Sequence, residues 1–91
     1  SIRLNPETGQ THAILGASYQ QIGNFKEAAA VYEHASELEP NDPVIYNNMG
    51  LCYLKLGQRD KALSNIQKAL LLNPDYPDAK HLLNLILGQK N

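Results

Sequence analysis

The sequence predicts an all-α protein of about five helices, stacked as antiparallel pairs. Three observations carry that expectation. The first is a period of 34 residues: shifted by that length, Gly16 meets Gly50, Tyr19 meets Tyr53, Gly23 meets Gly57, Ala28 meets Ala62, Ala35 meets Ala69, Leu38 meets Leu72 and Pro40 meets Pro74. A fixed period of this size marks stacked supersecondary units, none of which can bury its apolar face alone. The second is apolar spacing close to the helical repeat inside each unit. The third is punctuation, with glycine or proline closing every predicted helix.

In chain order, residues 1–8 read as the tail of a preceding unit, because Leu4 and Pro6 stand 34 residues ahead of Leu38 and Pro40. The first helix should run from near Thr8 to Ile22, with His12, Leu15, Gly16 and Tyr19 on its inner face. Gly23 stops it, and Asn24 is placed to cap the next helix. That helix should reach Leu38 with Ala28, Tyr32 and Ala35 inside, before Pro40 and the turn Asn41-Asp42-Pro43. A second unit repeats the plan: a helix from about Asp42 to Leu56, a stop at Gly57, and a helix from about Gln58 to Leu72 ahead of Pro74. A last helix starts near Asp75 or Pro77 and ends near Gly88. The units are then 9–42 and 43–76, within a single domain spanning 1–91. Residues 77–91 read as a capping helix or as the first half of a third unit. Gly16, Ala28, Ala35, Gly50, Ala62 and Ala69 are small where neighbouring helices must approach, and Tyr19, Tyr32, Tyr53 and Ile66 fill the adjacent gaps.

Composition narrows the function. Eight basic and nine acidic residues give a net charge of −1, with no run of Lys or Arg to neutralise a phosphate backbone. Nucleic acid is therefore not an expected partner. No stretch approaches the ~18–20 consecutive apolar residues of a membrane span, so no membrane insertion is expected. The N-terminus has no basic segment followed by an apolar one, hence no visible signal peptide. The single cysteine, Cys52, reads as a small buried hydrophobe in a reducing compartment, with the cytoplasm as default location.

Catalysis has no support in the residues. His12, His34 and His81 lack metal-ligand spacing, and no cofactor is expected. His34 and Glu37 read as a surface pair, and His12 as a core filler. Ser18, Ser36 and Ser64 have no neighbouring base, and no glycine-rich loop is present to cradle phosphate.

With these residues in place, the chain resembles the tetratricopeptide repeat family. That family's pattern has a small residue, Tyr, Gly, Ala, a bulky residue, Ala and Pro in order. Gly16, Tyr19, Gly23, Ala28, Tyr32, Ala35 and Pro40 match it in the first unit, and Gly50, Tyr53, Gly57, Ala62, Ile66, Ala69 and Pro74 in the second. An aromatic usual near the start of each unit is His12 in the first and Tyr46 in the second. The third unit departs from the pattern, with Asn84 at the small position and Leu87 at the tyrosine. The resemblance implies a right-handed α-solenoid whose first helices line a groove for a peptide or partner helix. The groove places fall on Gln10, Ala13, Ala17 and Gln20 of the first helix, Asn47, Asn48, Leu51, Leu54 and Lys55 of the third, and Asp78, His81 and Leu85 of the last. Asn48 stands where family members hold a peptide backbone, and its amide suits that role because it both donates and accepts. Family members that clamp a chaperone's C-terminal carboxylate do so with cations. Here those places carry Ala13, Ala17, Asp78 and Leu82, and only Asn48 matches, so that clamp is not expected.

The last helix is unusually apolar: Leu82, Leu83, Leu85, Ile86 and Leu87 place apolar groups on more than one face. A helix that is apolar all round needs a cover. A following helix, a second copy of the chain joined through these residues, or a protein partner would each supply one. The primary functional expectation is thus a scaffold or adaptor that binds a protein segment in the groove. The alternatives are a self-assembly element, and a substrate-recruiting repeat region of a larger enzyme such as a glycosyltransferase, whose asparagine-lined groove Asn48 resembles.

Overall fold

The structure, a computed structural model, describes the backbone of residues 9–88 and the side chains of residues 11–88. The expected tail of a preceding unit, residues 1–8, lies outside the described residues. Five helices follow one another: α1 (Gly9–Gln21), α2 (Phe25–Leu38), α3 (Pro43–Lys55), α4 (Arg59–Leu72) and α5 (Pro77–Ile86). Among the described residues there is no strand. Each helix packs on the next, and α3 also touches α5.

The turns between paired helices use the same device 34 residues apart. Gly23 (φ 82°) and Gly57 (φ 81°) both sit in the left-handed region that side chains disfavour. Around Gly23, the amide of Asn24 donates to the Tyr19 carbonyl (2.9 Å) and that of Gly23 to Gln20 (3.0 Å). Around Gly57, Gln58 donates to Tyr53 (2.8 Å) and Gly57 to Leu54 (3.1 Å). These reciprocal bonds satisfy the last carbonyls of α1 and α3. Asn24 and Gln58 occupy the N-cap positions of α2 and α4, but neither side chain makes a capping hydrogen bond. The expected Asn24 side-chain cap is therefore absent. Asp42 does cap α3, its carboxylate accepting from the Val44 amide (3.0 Å), with Pro43 in the first turn.

Two buried clusters form the core. Ala28, Ala29, Tyr32 and Ala35 of α2 meet Ile45, Met49 and Cys52 of α3 in the first. Ala62, Ile66 and Ala69 of α4 meet Ala79, Leu82 and Ile86 of α5 in the second. Tyr46 and Tyr53 border both clusters and tie them together.

Within each pair the contact is a glycine against a bulky residue. A methyl group placed on Gly16 would stand 2.7 Å from the Tyr32 ring, and one on Gly50 would stand 2.5 Å from the Ile66 terminal methyl. Only a residue without a Cβ lets the helices sit this close. The Tyr32 hydroxyl, buried by the contact, donates to the Gln20 side-chain carbonyl at 2.8 Å.

Two expectations for α1 need correction. Leu15, assigned to the inner face, is 45% exposed. His12 does not fill the core: it is half-buried, and its ring stacks on that of His34, with centroids 4.6 Å apart and planes tilted by 33°. His34 also faces Glu37 at 3.9 Å on an exposed surface.

Candidate functional site

The face shared by α1, α3 and α5 follows from the pairing. Helices α2 and α4 take up the inner faces of their partners, which leaves one stripe of each first helix outside the core. On α3 the stripe reads Asn47, Asn48, Leu51 and Lys55, one helical turn after another. Two hollows open on either side of it.

One hollow, of about 350 Å³, lies between α1 and α3 and is lined by Ala17, Gln20, Gln21, Phe25, Leu51 and Lys55. The other, of about 300 Å³, lies between α3 and α5 and is lined by Asn47, Asn48, Leu51, Asp78, His81 and Leu82. Leu51 forms a wall of both. A further hollow of about 430 Å³ is made by Gly57 to Lys61 alone, five consecutive residues of one turn, so it has no wall from a second helix.

The structure thus brings together Ala17, Gln20, Leu51 and Lys55 on one side and Asn47, Asn48, Leu51, Asp78 and His81 on the other. Ala13 and Leu54 line neither hollow: each is half-buried and packs on the core. Leu85 is 53% exposed and also lines neither. The Gln10 side chain lies outside the described residues. Gln21 and Phe25 line the hollows without having been expected there, and Leu82, assigned to self-association, lines the one between α3 and α5. Phe25 carried a readable signal, an aromatic directly after the Gly-Asn turn; Gln21 carried none.

The polar chemistry of the two hollows differs. Asn47 is only 6% exposed, and its side-chain carbonyl oxygen has no hydrogen-bond partner. Its amide lies beside Tyr76 and pulls that phenol's pKa down. Burial first, and then the charges of Asp78 and Asp42, raise the same pKa, and the net shift is upward. The hollow between α3 and α5 therefore carries a carboxylate, Asp78, and an unpaired carbonyl dipole. On the opposite side the charge is Lys55. Neither Lys55 nor Asp78 takes part in an ion pair among the described residues. The Gln20 amide nitrogen is buried without a hydrogen-bond partner. Behind it, burial pushes the Cys52 thiol up to about 11 although the neighbouring Gln20 amide opposes the shift, and Tyr32 rises to about 12 for the same reason of burial.

The five leucine and isoleucine residues assigned to self-association do not share one surface. Leu82 and Ile86 are core residues, 7% and 3% exposed, and Leu83 is half-buried against the same cluster. Leu82 and Ile86 are thus already covered by this chain's own core. Only Leu85 and Leu87 remain exposed. The α5 helix is therefore amphipathic, and α4 covers its apolar side. Arg59 of α4 reaches across to donate to the Ile86 carbonyl at the end of α5.

Among the described residues no group of three or more His, Cys, Asp or Glu side chains is placed to hold a metal. No described helix is long and apolar enough to cross a membrane.

Comparison with known proteins agrees with this architecture. Human protein arginine N-methyltransferase 9 is 42% identical over 59 residues, which cover 65% of this chain and 7% of that protein. The chain therefore corresponds to a small segment of that relative. Among solved structures, the second tetratricopeptide domain of Spaghetti (RPAP3), bound to an HSP90 peptide, superposes with a TM-score of 0.87 at 18% identity, covering 92% of this chain and 78% of that one. PcrH, in complex with the chaperone-binding region of PopD, superposes with a TM-score of 0.74 at 25% identity, covering 93% and 64%. The family model described as tetratricopeptide repeat matches residues 21–86, most of the chain. The five-helix solenoid and its sequence pattern agree, and the chain belongs to the tetratricopeptide repeat family.

Proposed function

We propose that this chain is a protein-interaction module that takes a segment of a partner protein across the face of α1, α3 and α5. The observation that supports this most is the pair of hollows meeting at Leu51, built from residues of separate helices. Each hollow is near the lower end of the roughly 300–1,000 Å³ typical of ligand pockets, a size that suits individual side chains of a bound segment. Asn48, beside them, offers a donor and an acceptor to a main chain. That Spaghetti and PcrH hold peptide segments of other proteins makes the reading natural for a chain of the same fold. The occupant differs from the tails that a carboxylate clamp holds, since Ala13, Ala17 and Asp78 supply no cation at the places such a clamp uses.

The test is selection of binding peptides from a random display library, followed by rebinding to variants. Ala17→Arg fills the hollow between α1 and α3 from an exposed position, and Leu71→Arg changes a residue of α4 that is 76% exposed and lines neither hollow. Selected peptides should lose affinity for the first variant and keep it for the second. Equal binding to both would place the site elsewhere.

A second reading is favoured by the match to a segment of an arginine N-methyltransferase. In it, the same face recruits a protein substrate to a catalytic region of a longer protein. The sequence of the complete gene decides between a stand-alone adaptor and this arrangement.

A further inference from the structure

The two hollows on either side of Leu51 carry opposite polarity, and their separation sets a spacing. Lys55 stands at one end of the α3 stripe, and Asn47, with Asp78 of α5 beside it, at the other. Eight residues of helix at 1.5 Å each separate Lys55 from Asn47, about 12 Å. An extended chain rises about 3.3 Å per residue with alternate side chains on the same face, so four residues cover that distance.

We propose, building on the groove reading above, that the occupant is an extended segment with an acidic and a basic side chain four residues apart and an apolar side chain midway. The acidic group lies against Lys55, the apolar one over Leu51, and the basic one in the hollow between α3 and α5. Two independent features make the last hollow a site for a cation. Asp78 supplies a formal charge that no ion pair within the described structure neutralises. Asn47 supplies a carbonyl oxygen that is buried, unpartnered and therefore costly unless a donor or a positive charge is brought near. Leu51 and Leu82 give the walls that the methylene stem of Lys or Arg packs against. A second carboxylate in this hollow would meet Asp78, and a second cation in the other would meet Lys55. The face therefore rejects uniformly charged segments as well as accepting the mixed one.

The experiment measures the affinity of the whole chain for five labelled peptides of one flanking sequence by fluorescence polarisation. Their central segments are Glu-Ser-Leu-Ser-Arg, its reverse Arg-Ser-Leu-Ser-Glu, the all-acidic and all-basic counterparts, and a neutral version with Gln at both ends. The better of the two mixed peptides should bind about 1.5- to 5-fold more tightly than either uniform one, the range exposed ion pairs allow. The preference should shrink at 0.5 M salt. Asp78→Lys, at an exposed position, should move the preference to the all-acidic peptide at that end, and Lys55→Glu should move it to the all-basic one. Uniform peptides binding as tightly as mixed ones, or a ranking unmoved by Asp78→Lys, would overturn the charge order. So would failure of all five peptides to bind. The groove reading falls separately, if Ala17→Arg leaves the binding of every peptide unchanged.

Discussion

The two helix pairs, α1–α2 and α3–α4, are built on one 34-residue plan and fill it with different chemistry. Gly16 meets an aromatic ring, Tyr32, whose hydroxyl is held by Gln20, whereas Gly50 meets the aliphatic Ile66. His12 stacks on His34 in the first pair; at the same two places in the second, Lys68 lies 5.7 Å from the Tyr46 ring. Met49 and Cys52 of α3 are buried against α2, while their counterparts Leu15 and Ser18 in α1 are exposed. The repeat therefore preserves where helices touch and leaves open what touches. The close approach is the constant, and the filler varies with what each helix has on its other side.

The largest effects should come from removing the fillers. Ile66→Ala and Tyr32→Ala each empty a site that is fully buried, and each should cost about 2–5 kcal/mol. Urea unfolding followed by circular dichroism would read this. A loss below about 1 kcal/mol for either would mean that its pair does not depend on the contact.

Next come the glycines. Gly16→Ala forces a methyl against a rigid ring and should cost about 1–3 kcal/mol, partly offset by the ~1 kcal/mol helix preference of alanine. Gly50→Ala should cost somewhat less, because an aliphatic arm gives way more readily than a ring, although Cγ1 of Ile66 (2.6 Å) and the Ala62 carbonyl oxygen (3.3 Å) also crowd the new methyl. Shortening that arm in Gly50→Ala/Ile66→Val should recover part of the loss. A larger cost at Gly50 than at Gly16 would reverse the comparison.

Smaller still, Tyr32→Phe should cost about 1 kcal/mol, by leaving the Gln20 carbonyl without its donor. The second pair has no equivalent bond to lose at Ile66.

The smallest and most diffuse effect concerns alkaline pH. Cys52 and Tyr32 hold their protons more tightly when folded, with pKa values raised from 9.0 to about 11 and from 10.0 to about 12. The unfolded chain releases these protons first, so stability should be intact below pH 9 and fall as pH rises through 9 to 12. In the same sense, Cys52 should resist alkylation at pH 8 until the chain is unfolded.

Much of the fold was legible because glycine, alanine and proline recur where geometry allows little else. The helix ends at Gly23 and Gly57, and the buried Ala28, Tyr32 and Ala35, could be read from the sequence directly. The candidate site was less legible. Its places came from the family resemblance, and spacing alone did not separate Asn47, which is buried, from Asn48 beside it, which is half-buried. In the last helix the apolar residues from Leu82 to Leu87 do fall on more than one face, but their clustering hides the 3.6-residue selection that buries Leu82 and Ile86 and exposes Leu85 and Leu87. His12 looked like a core residue because its counterpart is Tyr46, yet its ring finds a partner in His34 instead.

The central claim is that α1, α3 and α5 form the binding face. The most direct measurement is an NMR titration of the isotope-labelled chain with a selected peptide, recording which backbone amides shift. The account predicts that the largest shifts fall around Ala17, Gln20, Asn48, Leu51, Lys55, Asp78 and His81, with α4 little changed between Ala62 and Leu71. Shifts concentrated on α2 and α4, with Leu51 unmoved, would contradict it.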